Sequence, residues 1–192
     1  MCIRDRNGIK NKHTHGIFFF DEDVLLYDDI RKFGYIKILK NDLADKQLST
    51  LGPDALSLSK LDKIFVMNKA NKSSTSIKKF LLNQKNLSGL GNIYVNEALH
   101  LSKISPNRKG KNISLKKCYD LVENIKTILK NAIKEGGTTI KDHMQPDGSL
   151  GYFKQRLRVY GRSGCKCIMC KATIKEIKQS GRTSFYCSVC QR

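Results

Sequence analysis

Cys167-Ile-Met-Cys170 and Cys187-Ser-Val-Cys190 are two Cys-x2-Cys pairs with sixteen residues between them. This spacing is how two knuckles deliver four thiolates to one tetrahedral zinc. A segment that short has no core of its own, so metal binding supplies its folding energy. Five of the seven cysteines fall in the last 28 residues. Paired disulfides or uncoordinated thiols are the rival reading; a reducing compartment and the lack of a secretory signal speak against it. Cys165 adds a Cys-x-Cys overlap, but Cys167 alone gives the symmetric two-residue spacing, so Cys165 is expected to be a bystander. Cys118 falls on the apolar stripe of a helix and reads as core, while Cys2 is uninformative.

Lys and Arg total 36 against 17 Asp and Glu, a formal charge of +19 with a pI near 9.7. That excess points to a polyanionic partner. A hydrophobic content of 40% is enough for a packed globule, which excludes a disordered basic tail. The 192 residues suffice for one large domain or two small ones. No apolar run approaches the roughly 20 residues that cross a bilayer. The expectation is therefore a soluble, intracellular protein with no membrane partner.

The region 16–40 carries β-branched and aromatic runs, Ile17 to Phe20, Val24 to Tyr27 and Tyr35 to Leu39, separated by acidic breaks. This pattern predicts an antiparallel meander. After the turn at Leu51-Gly52-Pro53-Asp54 the periodicity becomes helical. Segments Ser59–Met67, Thr75–Asn83 and Asn92–Leu101 are amphipathic. Ser114 caps the longest helix, whose apolar positions Leu115, Cys118, Val122, Ile125, Leu129 and Ile133 run up to Gly136-Gly137. Residues 136–151, rich in Gly and polar residues, predict an exposed, mobile loop.

Three stretches together resemble the formamidopyrimidine-DNA glycosylase family of base-excision repair enzymes, which includes the endonuclease VIII type. They are Gly89-Leu-Gly-Asn-Ile-Tyr-Val-Asn-Glu97, Gly136-Gly-Thr-Thr-Ile-Lys-Asp142, and Gly151-Tyr-Phe followed by Tyr160-Gly-Arg and the four-cysteine tail. They occur in the family's order, and the resemblance runs from about His13 to the C-terminus. It implies an α+β multidomain fold: residues 1–50 as the end of a β-sandwich, 51–150 as a helix-two-turn-helix DNA-binding domain with a lesion-recognition loop, and 151–192 as a zinc β-hairpin finger. DNA would lie between sandwich and helical domain. The implied partner is double-stranded damaged DNA, bound by a monomer in a bacterial-type cytoplasm, with one zinc per chain.

Site residues follow from the same resemblance. Gly89 and Gly91 let the backbone approach a phosphate at a helix N-terminus, and Asn92 resembles the family's phosphate-contacting asparagine. Arg182, midway between the knuckles, matches the arginine that grips phosphates flanking the extruded nucleotide and assists the second, δ-elimination step. Arg31 and Phe33, in Asp28-Asp-Ile-Arg-Lys-Phe-Gly34, resemble the wedge that refills the stack after base flipping. Strand core is the ordinary alternative for Phe33, and an ordinary helix cap for Asn92. His13 matches a DNA-contacting histidine. Lys72 and Lys78 lie where the family places phosphate-binding lysines, although Ser73 and Ser74 replace the rest of that run. Residues 138–149 correspond to the loop that closes over the extruded base.

The family nucleophile is an N-terminal proline, whose amine is partly unprotonated near neutrality. Prolines here stand only at 53, 106 and 146. The expectation is an N-terminally truncated chain that binds DNA but lacks the chemistry of its parent, a bifunctional glycosylase and AP lyase acting on oxidised purines such as 8-oxoguanine or formamidopyrimidines. Two alternatives stand beside it: an oxidised-pyrimidine enzyme of the endonuclease VIII type, and a non-enzymatic zinc-ribbon nucleic-acid binder.

Overall fold

The computed structural model describes residues 2–4, 10–21, 23–30, 32–139 and 151–192. The chain divides into two compact units, Met1–Lys40 with Ala132–Arg156, and Asn41–Asn131 with Leu157–Arg192. This division follows packing, and it cuts differently from the ranges 1–50, 51–150 and 151–192 read from the sequence.

The first unit holds a three-stranded antiparallel sheet of β1 (Cys2–Arg4), β2 (Thr14–Phe19) and β3 (Val24–Asp28) in the order β1-β3-β2. Alternation along β2 leaves Ile17 and Phe19 exposed. The third meander strand expected at 35–39 does not form. β1 and β2 flank β3 instead, and Tyr35, Ile36 and Ile38 are exposed.

The second unit is helical: α1 (Asn41–Leu48), α2 (Lys60–Asn71), α3 (Ile77–Leu82) and α4 (Asn92–Leu101), with most of α5 (Leu115–Lys134). α1 precedes the point where helix was expected to begin. It is only eight residues long, shorter than the window over which helical periodicity is read, and its Leu43 and Leu48 stay exposed. Ser59 and Asp62 close a capping box on α2, and Ser76 caps α3. Cys118, Leu121, Val122, Ile125 and Leu129 of α5 are buried, whereas Leu115 and Ile133 at its two ends are exposed. Burial pushes the Cys118 thiol up to about 11, so it stays protonated, as a core cysteine should.

Gly136 and Gly137, both at positive φ, close α5. Beyond them Thr138 pairs with Tyr152, and Arg156 forms an ion pair with Glu135. The lesion-loop positions 140–149 lie outside the described residues. The C-terminal finger is the antiparallel pair β4 (Ile174–Gln179) and β5 (Arg182–Cys187). Its turn, Ser180-Gly181, has φ of 52° and 72°, the mirror-image two-residue turn whose twist suits a hairpin. Among the described residues no helix is long and apolar enough to cross a membrane.

Candidate nucleic-acid interface and metal centre

The sulfurs of Cys167, Cys170, Cys187 and Cys190 all lie within 4.8 Å of one another. Cys167 and Cys190 are 3.9 Å apart, and Cys170 and Cys187 are 3.4 Å apart. A tetrahedral metal with metal–sulfur bonds near 2.3 Å needs sulfur–sulfur edges of about 3.8 Å, so the donor set fits such an ion. Cys165 is exposed and outside this cluster. A backbone N–H from Ala172 pulls the Cys170 thiol down to about 7, while burial and the neighbouring sulfurs drive Cys190 up to about 12. A metal cation would favour the thiolate form of all four sulfurs.

Three sequence-predicted residues meet at the finger's turn. Thr183 carbonyl oxygen accepts from Lys78 Nζ at 3.1 Å and from Asn92 Nδ2 at 3.2 Å. Arg182, immediately before it, is exposed beside the turn. Asn92 is not the cap of α4; Gly91 is, and no side chain caps that helix. The N-terminus of α4 thus faces open space at Gly91, where an added Cβ would meet nothing within 4 Å.

Lys78 requires a correction. A phosphate-binding lysine was expected from the family resemblance; its side chain is buried, and its ammonium donates to Ser184 Oγ at 2.6 Å as well as to Thr183. Burial and the nearby Arg182 charge lower it to about 8. Its position fits a residue that holds the turn rather than one that reaches solvent phosphates.

Lys72 ends α2 and is exposed. With Lys69, Lys79, Ser180 and Arg182 it lines a cleft of about 590 Å³, together with Phe80 and Leu82. Lys69 and Lys79 escaped the sequence reading, because an exposed lysine in a chain of +19 carries no distinguishing pattern.

In the first unit, Phe33 is 86% exposed, which removes the strand-core alternative. Asp29 Oδ2 accepts the Gly34 N–H at 2.6 Å, and a Cβ on Gly34 would run into the Tyr27 hydroxyl, so the turn presenting Phe33 demands glycine. Arg31 lies outside the described residues. His13 sits just before β2, its N–H bonded to Asn11 Oδ1 and its carbonyl accepting from Asp29 N.

Further residues were missed, all of them polar side chains that bind the finger to the helices. Glu97 is buried and accepts three backbone N–H bonds, from Arg158 at 2.8 Å, Val159 at 3.0 Å and Tyr160 at 2.8 Å. Asn96 accepts from Phe185 N at 2.8 Å, and Gln191 joins Cys187 N to the Ile104 carbonyl. Gln179 reaches Ser76 Oγ and the Pro106 carbonyl. The available signal was on α4, where Asn96, Glu97 and His100 interrupt its apolar face.

This arrangement has close counterparts. The H2TH domain of formamidopyrimidine-DNA glycosylase matches residues 51–144. The formamidopyrimidine-DNA glycosylase of Rickettsia conorii is 38% identical over 193 residues, spanning 100% of this chain and 70% of that protein. A Lactococcus lactis Fpg mutant bound to Fapy-dG-containing DNA superposes with a TM-score of 0.88 at 35% identity, and the Lactococcus lactis Fpg bound to abasic-site DNA with 0.86 at 35%. Each covers 100% of this chain and 70% of that one. A stand-alone zinc ribbon would match only the last few dozen residues, so that alternative falls. With similarity running through sheet, helices and finger alike, the chain belongs to the formamidopyrimidine-DNA glycosylase family.

Proposed function

We propose that this chain binds damaged duplex DNA as part of a base-excision repair enzyme, a bifunctional glycosylase and AP lyase for oxidised purines. The observation that carries the reading is the convergence of Lys78 and Asn92 on Thr183, beside Arg182 on a rigid two-residue turn. Lys78 and Asn92 hold the turn, and Arg182 offers its planar guanidinium to phosphates flanking an extruded nucleotide, where bidentate geometry matters. Its assignment to δ-elimination comes from the family resemblance.

Asn92 also stands at the open N-terminus of α4, where backbone N–H groups favour a phosphate. Phe33, held out on its turn, and Arg31 would refill the stack vacated by a flipped base. His13 and Lys72 would add phosphate contacts. The four-sulfur cluster suits zinc, because an all-thiolate tetrahedral site with no open position is structural. Zinc would fix the hairpin and so the place of Arg182. The protein would act as a monomer located on DNA.

The test is fluorescence anisotropy on a duplex carrying a tetrahydrofuran abasic-site analogue and on its undamaged counterpart. At least tenfold tighter binding to the analogue is expected, with affinity falling steeply as salt rises. Equal affinities for the two duplexes would overturn the reading.

A further inference from the structure

His100, in the last turn of α4, is completely buried, and its Nε2 lies 3.5 Å from Cys167 Sγ. Its Nδ1 has no hydrogen-bond partner among the described residues. Cys167 is itself completely buried. A thiolate there is cut off from water, and buried charge is stabilised only where donors point at it.

A neutral imidazole carries one N–H, on one nitrogen or the other. With the proton on Nδ1, a buried donor is orphaned and the Nε2 lone pair faces the lone pairs of sulfur. With the proton on Nε2, the donor is satisfied by the sulfur and only an acceptor is left over. The second arrangement avoids the repulsion and places partial positive charge against the thiolate.

We propose that His100 is a positioning residue for the metal centre, donating its Nε2–H to the Cys167 thiolate. The bond draws charge from the sulfur and fixes its lone pairs, as outer-shell partners do for metal ligands. It also ties the helix that carries Asn92, at its other end, to the hairpin that carries Arg182. The inference rests on the metal reading of the four cysteines, so metal content and hydrogen bonding are measured separately.

On the full, zinc-loaded chain, nitrogen-15 NMR of the histidines reads the tautomer directly. Nε2–H on His100 is expected, and Nδ1–H overturns the inference without touching the metal site. In the cobalt-substituted chain, His100→Phe is expected to move the sulfur-to-cobalt charge-transfer bands to lower energy and to speed metal loss to a chelator by about tenfold. His100→Gln, which retains an N–H donor at a similar reach, should move both back toward the native values. Bands of His100→Phe that superimpose on the native ones, with one cobalt per chain, overturn the proposal. If His100→Phe fails to fold, the tautomer of the native protein decides. A chain that binds neither zinc nor cobalt overturns the metal reading and this inference with it.

Discussion

The ammonium of Lys78 donates to the Ser184 hydroxyl over 2.6 Å, joining α3 to strand β5 across 106 positions of sequence. Ser184 in turn donates its hydroxyl hydrogen to Gln179 Oε1 at 2.9 Å, so cation, hydroxyl and amide form one chain of bonds near the finger's turn. Keeping a charge there is costly, and burial lowers Lys78 to about 8 from its ordinary 10.5.

The sign of the resulting pH dependence follows from proton counting. Between pH 8 and 10.5 the unfolded chain holds the Lys78 proton more tightly than the folded one, so this residue's contribution to stability rises with pH across that window. Urea midpoints of the native protein, minus those of Lys78→Met, should climb from pH 8 to 10. A flat difference would mean that the ammonium is not desolvated.

Arg182 is exposed, so its replacement should leave thermal stability within about 0.5 kcal/mol. Arg182→Ala should weaken binding to an abasic-analogue duplex and lower the magnitude of the salt slope by about 1, the loss of one phosphate contact. Arg182→Lys keeps the charge but not the fork, and should recover the slope without recovering the full affinity. Titrations at several salt concentrations separate the two.

The metal knuckles, α4 and α5 were legible because each rests on a local pattern: fixed cysteine spacing, helical periodicity and a serine cap. α1 was not read as a helix because its eight residues are too short a window for periodicity. The strand expected at 35–39 had the right residues, but strand pairing is decided by distant segments: Cys2–Arg4, not 35–39, pairs with β3. Lys78 is the instructive site residue. Its sequence neighbourhood is that of a surface lysine, and only the docking of the hairpin, 105 residues away, buries it. The same holds for Glu97 and His100, whose partners come from the segment after Arg156.

Glu97 spends both carboxylate oxygens on the three consecutive N–H groups of Arg158, Val159 and Tyr160. Glu97→Gln keeps one oxygen but sets an NH2 against an N–H donor, which should cost roughly 1–3 kcal/mol in chemical denaturation. Glu97→Leu leaves all three donors unpaired and should cost more. Near-native stability for Glu97→Leu would contradict the anchoring role.

The basic cleft makes its own forecast. Lys69 and Lys79 line it and are exposed, and neither was anticipated from sequence. If the DNA backbone continues past Arg182 into this cleft, Lys69→Gln/Lys79→Gln should lower the magnitude of the salt slope by about 2 while leaving the preference for the abasic analogue unchanged, because phosphate contacts carry no lesion information. An unchanged slope would confine the DNA track to the turn.

Gly34 offers the sharpest test of the wedge. Phe33 contributes nothing to the core at 86% exposure, so Phe33→Ala should not alter stability. It should nonetheless weaken binding to the abasic-analogue duplex by about tenfold, because a hole in the base stack costs a few kcal/mol when nothing fills it. Gly34→Ala leaves the aromatic ring in place but drives a methyl group into the Tyr27 hydroxyl and against Asp29 Oδ2, which holds the turn through the Gly34 N–H. Its binding should fall in the same direction as that of Phe33→Ala. A double variant should be no worse than the poorer single one, since both act through the same ring. Additive losses would show that the turn serves something other than presenting Phe33.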